Sequence, residues 1–220
     1  MTKFKICGLT DLNNAIMVRE ANADFMGFIF VPGSKRKLDL KATKKLIDSY
    51  RDLTGSGGPA LVGLFANQPL NYVNGIVEQC GFEYVQLCGD ESPEYWSQIN
   101  AKIFKSIGVE INNEMSENRI EILKQAKLIL ESNAIPLFDR FEEGQLGGTG
   151  KSFDWTNIEG ISGTVDFILA GGLTPENINH AIKQVKPWCV DVSSGVETEG
   201  KKDPIKILKF SEEIKSLSKD

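Results

Sequence analysis

The chain has 220 residues, 41% of them apolar, and a net charge of −5 from 25 Lys and Arg against 30 Asp and Glu. That length holds one α/β barrel or two small domains around a full core. The acidic balance argues against nucleic acid or an anionic membrane as partner, and no apolar stretch is long enough to span a bilayer.

Strand-like and helix-like segments alternate along the sequence. The first strand is expected at residues 4–7, so early that no room is left for a signal peptide. Thr10 then caps a helix with Leu12, Ala15 and Ile16 on its apolar face. A second strand at 25–30 leads through a polar loop to a helix burying Ala42, Leu46, Ile47 and Tyr50. A third strand spans 61–65, and Pro69 starts a helix that buries Tyr72, Val73, Ile76, Val77 and Cys80 at helical spacing. The fourth strand, 84–87, precedes a short helix with Ser92 as cap and Pro93 at its first position. The fifth strand is 103–109. Residues 116–125 read as helix, whereas Leu128, Ile129 and Leu130 either extend it or begin a strand; the sixth strand is placed at 135–138, just before Asp139. The seventh, 167–170, feeds a helix with Thr174 as cap, Pro175 first, and Ile178, Ala181, Ile182 and Val185 inward. The eighth, 189–192, precedes a last helix from about residue 204 that buries Ile207, Phe210, Ile214 and Leu217.

Eight βα units whose short strands are apolar on both faces fit the α/β class and a single (β/α)8 TIM barrel, one domain over residues 1–220. An open doubly wound sheet is the rival, but no G-x-G-x-x-G follows the first strand, and the glycine turns come late. In barrels the site lies at the C-terminal strand ends, and the loops after strands 7 and 8 often bind phosphate. Here those loops read Gly171-Gly172 and Ser193-Ser194-Gly195. Backbone N–H groups in such turns can approach an anion closely, although either turn alone could be an ordinary connection. The glycine-rich stretch 54–59 falls on the opposite face as a plain connection. The loop 141–153 follows strand 6 on the catalytic face and has the length of a lid.

The other strand ends supply candidates for chemistry. Cys7 ends the first strand, where a stabilised thiolate is a base or nucleophile and an unactivated thiol is a small apolar filler. Asp139 ends the sixth, where partial burial would raise its pKa and make it a proton donor; the alternative is a loop cap. Arg36 lies in the run Lys35-Arg36-Lys37, and its planar fork suits a carboxylate unless the run is merely a solvated cluster. Asp191 lies within the eighth strand, where an unpaired charge is costly and a partner or ligand is expected. Lys105 is expected to be paired or to reach a barrel end rather than to form a Schiff base. The cysteines Cys7, Cys80, Cys88 and Cys189 lack C-x-x-C spacing, which fits reduced thiols in a cytoplasm. The lone histidine, His180, is expected on the outer surface of a helix. It excludes a histidine-rich metal centre and argues against a Ser-His-Asp triad.

Taken jointly, these residues resemble the phosphoribosylanthranilate isomerase family of tryptophan biosynthesis, over essentially the whole chain. The carriers are Lys5-Ile6-Cys7-Gly8-Leu9-Thr10, Phe28-Ile29-Phe30 through Ser34-Lys35-Arg36, Val85-Gln86-Leu87-Cys88-Gly89-Asp90-Glu91, Phe138-Asp139, residues 147–155, Leu169-Ala170-Gly171-Gly172-Leu173, and Asp191-Val192-Ser193-Ser194-Gly195-Val196-Glu197. The resemblance implies an aldose–ketose isomerase that converts N-(5-phosphoribosyl)anthranilate to 1-(2-carboxyphenylamino)-1-deoxyribulose 5-phosphate by an Amadori rearrangement. It implies Cys7 as general base, Asp139 as general acid and Arg36 on the anthranilate carboxylate. Gly171, Gly172, Ser193, Ser194 and Gly195 would hold the phosphate, and Asp191 a sugar hydroxyl. It further implies no metal and no organic cofactor, a small phosphorylated substrate as partner with neither nucleic acid nor membrane, a monomer or homodimer, and a cytoplasmic location. The family usually has histidine where this chain has Cys88, and often proline where it has Lys35. Among rival barrels, indoleglycerol phosphate synthase would need lysine and glutamate at strand ends. A histidine-pathway sugar isomerase would need an aspartate in place of Cys7. A non-catalytic phosphate-binding barrel would have no reason to keep both Cys7 and Asp139.

Overall fold

The computed structural model describes residues 1–109, 115–140 and 155–217. Its strands are β1 (Lys3–Cys7), β2 (Phe25–Ile29), β3 (Ala60–Phe65), β4 (Tyr84–Leu87), β5 (Lys102–Val109), β6 (Ala134–Arg140), β7 (Ile168–Leu169) and β8 (Cys189–Val192). All pair in parallel with their chain neighbours, and β8 returns to β1, so the sheet closes into the expected eight-stranded barrel. The helices are α1 (Leu12–Glu20), α2 (Leu40–Thr54), α3 (Leu70–Cys80), α4 (Pro93–Trp96), α5 (Met115–Glu131), α6 (Ile178–Val185) and α7 (Pro204–Ser216). Among the described residues the β6–β7 connection holds two 3₁₀ turns, Trp155–Ile158 and Ile161–Gly163, in place of an α-helix. After β8 come a 3₁₀ turn at Ser194–Val196 and a hairpin, β9 (Glu197–Thr198) with β10 (Lys201–Lys202). No helix among the described residues is long and apolar enough to cross a membrane.

Strand side chains alternate between two apolar layers, because successive residues of a strand point to opposite faces. Phe4 and Ile6 of β1 join Phe28, Val85, Phe138 and Val190 in the layer beneath the helices. Cys7 faces inward with Phe25, Val62, Phe104, Leu137, Ile168 and Cys189. Both strand faces are therefore buried, which is why the strands read as continuous apolar runs.

Several element details differ from the sequence expectation. The cap of α1 is Asp11, whose carboxylate accepts from Asn14 N at 2.9 Å, not Thr10. In α2 the buried stripe is Thr43, Leu46, Ile47 and Tyr50; Ala42 is exposed, one residue off the stripe, with its N–H taken by the Asp39 cap at 2.7 Å. Tyr72 lies 44% exposed beside the buried Val73, Ile76, Val77 and Cys80. Leu128–Leu130 extend α5, and Asn133 at φ 57 makes the turn into β6. Asp139 lies inside β6, since pairing with β5 continues to Arg140. The last full helix before β8 begins at Ile178 with Asn177 in the cap position; Thr174 and Pro175 instead form a separate preceding turn, in which Thr174 Oγ1 accepts from Glu176 N at 3.2 Å. The stretch 54–59 joins α2 to β3 at the N-terminal ends of the strands, as expected. The lid expectation for 141–153 lies outside the described residues.

Candidate active site

The N-terminal half of the barrel is plugged by rings. Phe25, Tyr84 and Phe104 lie with centroids 4.8–5.4 Å apart, and Trp188 packs 5.8 Å from Phe25. One pleat further along five of the strands the inward residues become polar: Lys5 and then Cys7 on β1, Gln86 on β4, Ser106 on β5, Asp139 on β6 and Asp191 on β8, while Leu64 on β3 stays apolar. Strand alternation thus builds a polar layer on an aromatic floor, toward the C-terminal face where barrel sites lie.

Lys5 is fully buried, and its Nζ donates to Asp191 Oδ2 at 2.7 Å. A Cβ on Gly27 would stand 3.0 Å from Cys7 Sγ and 3.2 Å from Lys5 Cε, so the absent side chain of Gly27 makes room for thiol and lysine together. Burial disfavours the Lys5 ammonium, but the Asp191 and Cys7 side chains outweigh it and hold its pKa above the ordinary lysine value. Burial raises the Cys7 thiol, and Asp191 adds to that; Lys5 and Lys202 pull against it without returning it to its ordinary value. Asp191 Oδ1 and Gln86 Oε1 are buried and make no hydrogen bond among the described residues.

Asp139 is half-buried, and its Oδ1 accepts from Arg140 N at 2.8 Å. Burial pushes its carboxyl up to about 6, opposed by that N–H and helped by the Asp191 carboxylate. A Cβ on Gly171 would lie 3.0 Å from Asp139 Oδ1, which places the β7 turn directly against the acid. Cys88 lies in the same mouth, 3.5 Å from Gln86 Nε2 and 3.6 Å from Ser106 Oγ, with its thiol pushed up to about 11 by burial.

Arg36 crosses over the end of β1. A Cβ on Gly8 would stand 2.5 Å from Arg36 Cδ, and Gly8 takes φ +79, so both space and backbone demand glycine next to Cys7. The Arg36 guanidinium is gripped by Glu197, at 2.7 Å through Nε and 2.6 Å through Nη2. Ser193 Oγ donates to the Cys7 carbonyl at 3.0 Å, and Lys202 Nζ donates to Ser193 O at 2.8 Å and to Glu197 Oε1 at 2.7 Å. The two glycine turns touch: a Cβ on Gly195 would fall 1.8 Å from the Leu173 carbonyl. Gly172 O accepts from Asn177 Nδ2 at 2.9 Å, and Ser194 opens the 3₁₀ turn after β8.

All nine residues singled out in the sequence therefore line one barrel mouth. Lys5, Gln86, Lys202 and the grip of Glu197 were not foreseen; a lysine two residues before Cys7, between the apolar Phe4 and Ile6, was the available signal for Lys5. Lys105 donates to Glu91 Oε2 at 3.1 Å and to the Gly89 carbonyl, so it is paired as expected. His180 is exposed on α6. No group of three or more His, Cys, Asp or Glu among the described residues is placed to hold a metal ion.

Residues 4–213 match the family model described as N-(5'phosphoribosyl)anthranilate (PRA) isomerase. The N-(5'-phosphoribosyl)anthranilate isomerase of Dehalococcoides mccartyi is 39% identical over 215 residues, covering 98% of this chain and 96% of the relative. The crystal structure of phosphoribosyl anthranilate isomerase from Thermotoga maritima superposes with a TM-score of 0.83 at 30% identity, covering 99% of this chain and 100% of that one. A second solved structure, of the isomerase in complex with reduced 1-(o-carboxyphenylamino)-1-deoxyribulose 5-phosphate, gives a TM-score of 0.78 at 30% identity over 99% of this chain and all of that one. The chain belongs to the N-(5'-phosphoribosyl)anthranilate isomerase family, isomerases of the aldose–ketose type.

Proposed function

We propose that this chain catalyses the Amadori rearrangement of N-(5'-phosphoribosyl)anthranilate, with Asp139 as general acid and Cys7 as general base. The observation that carries this reading is the polar layer itself. A thiol and a carboxyl whose pKa is raised to about 6 share one mouth, whose rim carries Arg36 and two touching glycine turns. The ligand in the solved relative bears a carboxylate and a phosphate, the two groups that an arginine fork and glycine-turn N–H groups suit.

Asp139, protonated, donates to the furanose ring oxygen as the C1'–O bond breaks and the anilino nitrogen lone pair forms the Schiff base. The Cys7 thiolate then removes the proton on C2', and the electrons flow back to nitrogen to give an enaminol. Loss of the 2'-hydroxyl proton and protonation at C1' complete the ketone. Each step moves a proton between positioned groups, which is what general acid–base catalysis requires. The Lys5 ammonium favours the thiolate form of Cys7. Arg36 binds the anthranilate carboxylate, the N–H groups of the Gly171-Gly172 and Ser193-Ser194-Gly195 turns bind the phosphate, and the unpartnered Asp191 Oδ1 accepts from a sugar hydroxyl.

The test is the fluorescence of phosphoribosylanthranilate generated in situ. Its loss should accelerate on adding the purified protein, and an unchanged rate ends this reading.

A further inference from the structure

The Arg36 guanidinium does not hang free in the mouth. Glu197 holds its Nε and Nη2 by two short hydrogen bonds, 2.7 and 2.6 Å. Glu197 is itself pinned twice. Its Oε1 accepts from Lys202 Nζ at 2.7 Å, and its carbonyl from Lys206 Nζ at 2.6 Å. Glu197 and Lys202 stand opposite each other in the β9–β10 hairpin, with side chains only 6% and 2% exposed.

We propose that Glu197 is a positioning residue that presents Arg36 to the substrate: it occupies the Nε edge of the guanidinium and leaves the Nη1–Nη2 edge for the anthranilate carboxylate. The inference rests on the functional reading above. Arg36, Glu197 and Lys202 together carry one net positive charge, which suits one incoming carboxylate. The packing of Arg36 Cδ over Gly8 fixes the stem, and the bidentate pair fixes the rotation of the head. A displaceable plug is the other way to read a carboxylate on a substrate-binding arginine. It is disfavoured, because releasing Glu197 would strand the buried Lys202 ammonium without its carboxylate, and an unpaired buried charge is costly.

The experiment compares wild type, Glu197→Gln, Glu197→Asp and Arg36→Met in steady-state kinetics. It also measures binding of two probes: reduced 1-(o-carboxyphenylamino)-1-deoxyribulose 5-phosphate, and the same compound without its ring carboxylate. Glu197→Gln should raise KM about tenfold with kcat within about twofold, because the contact serves ground state and transition state alike. It should weaken the carboxylated probe about tenfold and leave the other unchanged, and Glu197→Asp should be intermediate. An unchanged or lowered KM, or an equal loss for both probes, overturns the proposal. A wild type that neither turns over nor binds the carboxylated probe sinks the functional reading and the proposal with it. An active wild type that is weakened by Arg36→Met and untouched by Glu197→Gln sinks only the role of Glu197.

Discussion

Lys5 and Asp191 form a 2.7 Å ion pair inside the barrel, in register across the β1–β8 seam and on the strand face that carries Cys7. The pair closes the barrel and sets the charge beneath the thiol at once. Removing one partner leaves the other buried and uncompensated, so Lys5→Met should cost about 3–5 kcal/mol. Lys5→Met combined with Asp191→Asn should cost less than the sum of the single changes. Chemical denaturation of the four proteins of this cycle measures the coupling, and additivity would show that the two side chains do not interact energetically.

Cys7→Ser should lower kcat by about 10²–10⁴-fold with the fold intact, since the hydroxyl is a far weaker base partner at the same position. Circular dichroism checks the fold and single-turnover kinetics the rate. Near-wild-type turnover removes Cys7 from the mechanism.

Asp139→Asn should lower kcat by a similar factor of about 10²–10⁴ and yet make the protein more stable. The folded carboxyl has a pKa of about 6 against an ordinary 3.8. The folded state therefore holds the proton more tightly, and the carboxylate form costs stability. That cost is absent below about pH 4, grows between pH 4 and 6, and is complete above 6, at about 1–3 kcal/mol. Melting temperatures of wild type and Asp139→Asn should converge at low pH and separate, with the variant higher, at pH 7. Equal melting temperatures at pH 7 would contradict the buried position of the carboxyl.

The pH dependence of kcat/KM should be bell-shaped. The working state needs Asp139 protonated and Cys7 ionised, but Asp139 titrates near 6 and Cys7 above its ordinary 9.0. The working form is then a minor tautomer whose share is constant between the two pKa values and falls on either side. Activity should rise as pH increases through about 6, stay level, and fall above the thiol pKa. A substrate phosphate also titrates at about 6, so the residual activity of Asp139→Asn decides the assignment: an acid limb that persists in it does not belong to Asp139.

Arg36→Met should raise KM by at least about tenfold while changing kcat less, as expected for a group that binds the carboxylate in ground state and transition state alike. A fall in kcat without a change in KM would move Arg36 from binding to chemistry.

The repeated strand–helix pattern, the late glycine turns and the polar residues Cys7, Asp139 and Asp191 at or near the strand ends were legible in the sequence, because period and punctuation are local properties. Boundaries were not. Thr10 and Asp11 are both good caps, and Ala42 and Thr43 are both acceptable on a buried stripe, so only packing chose between them. Leu128–Leu130 suit helix or strand equally, and the turn at Asn133 decided for helix.

The sequence alone settled that eight short apolar strands must be covered on both faces, and that their polar ends collect at one rim. Tertiary structure alone decided which charges meet there. Lys5 and Asp191 are 186 residues apart, and Arg36 and Glu197 are 161 apart. No spacing rule links such positions; closure of β8 onto β1 brings both pairs beside Cys7, where burial makes pairing obligatory and gives the thiol its neighbours.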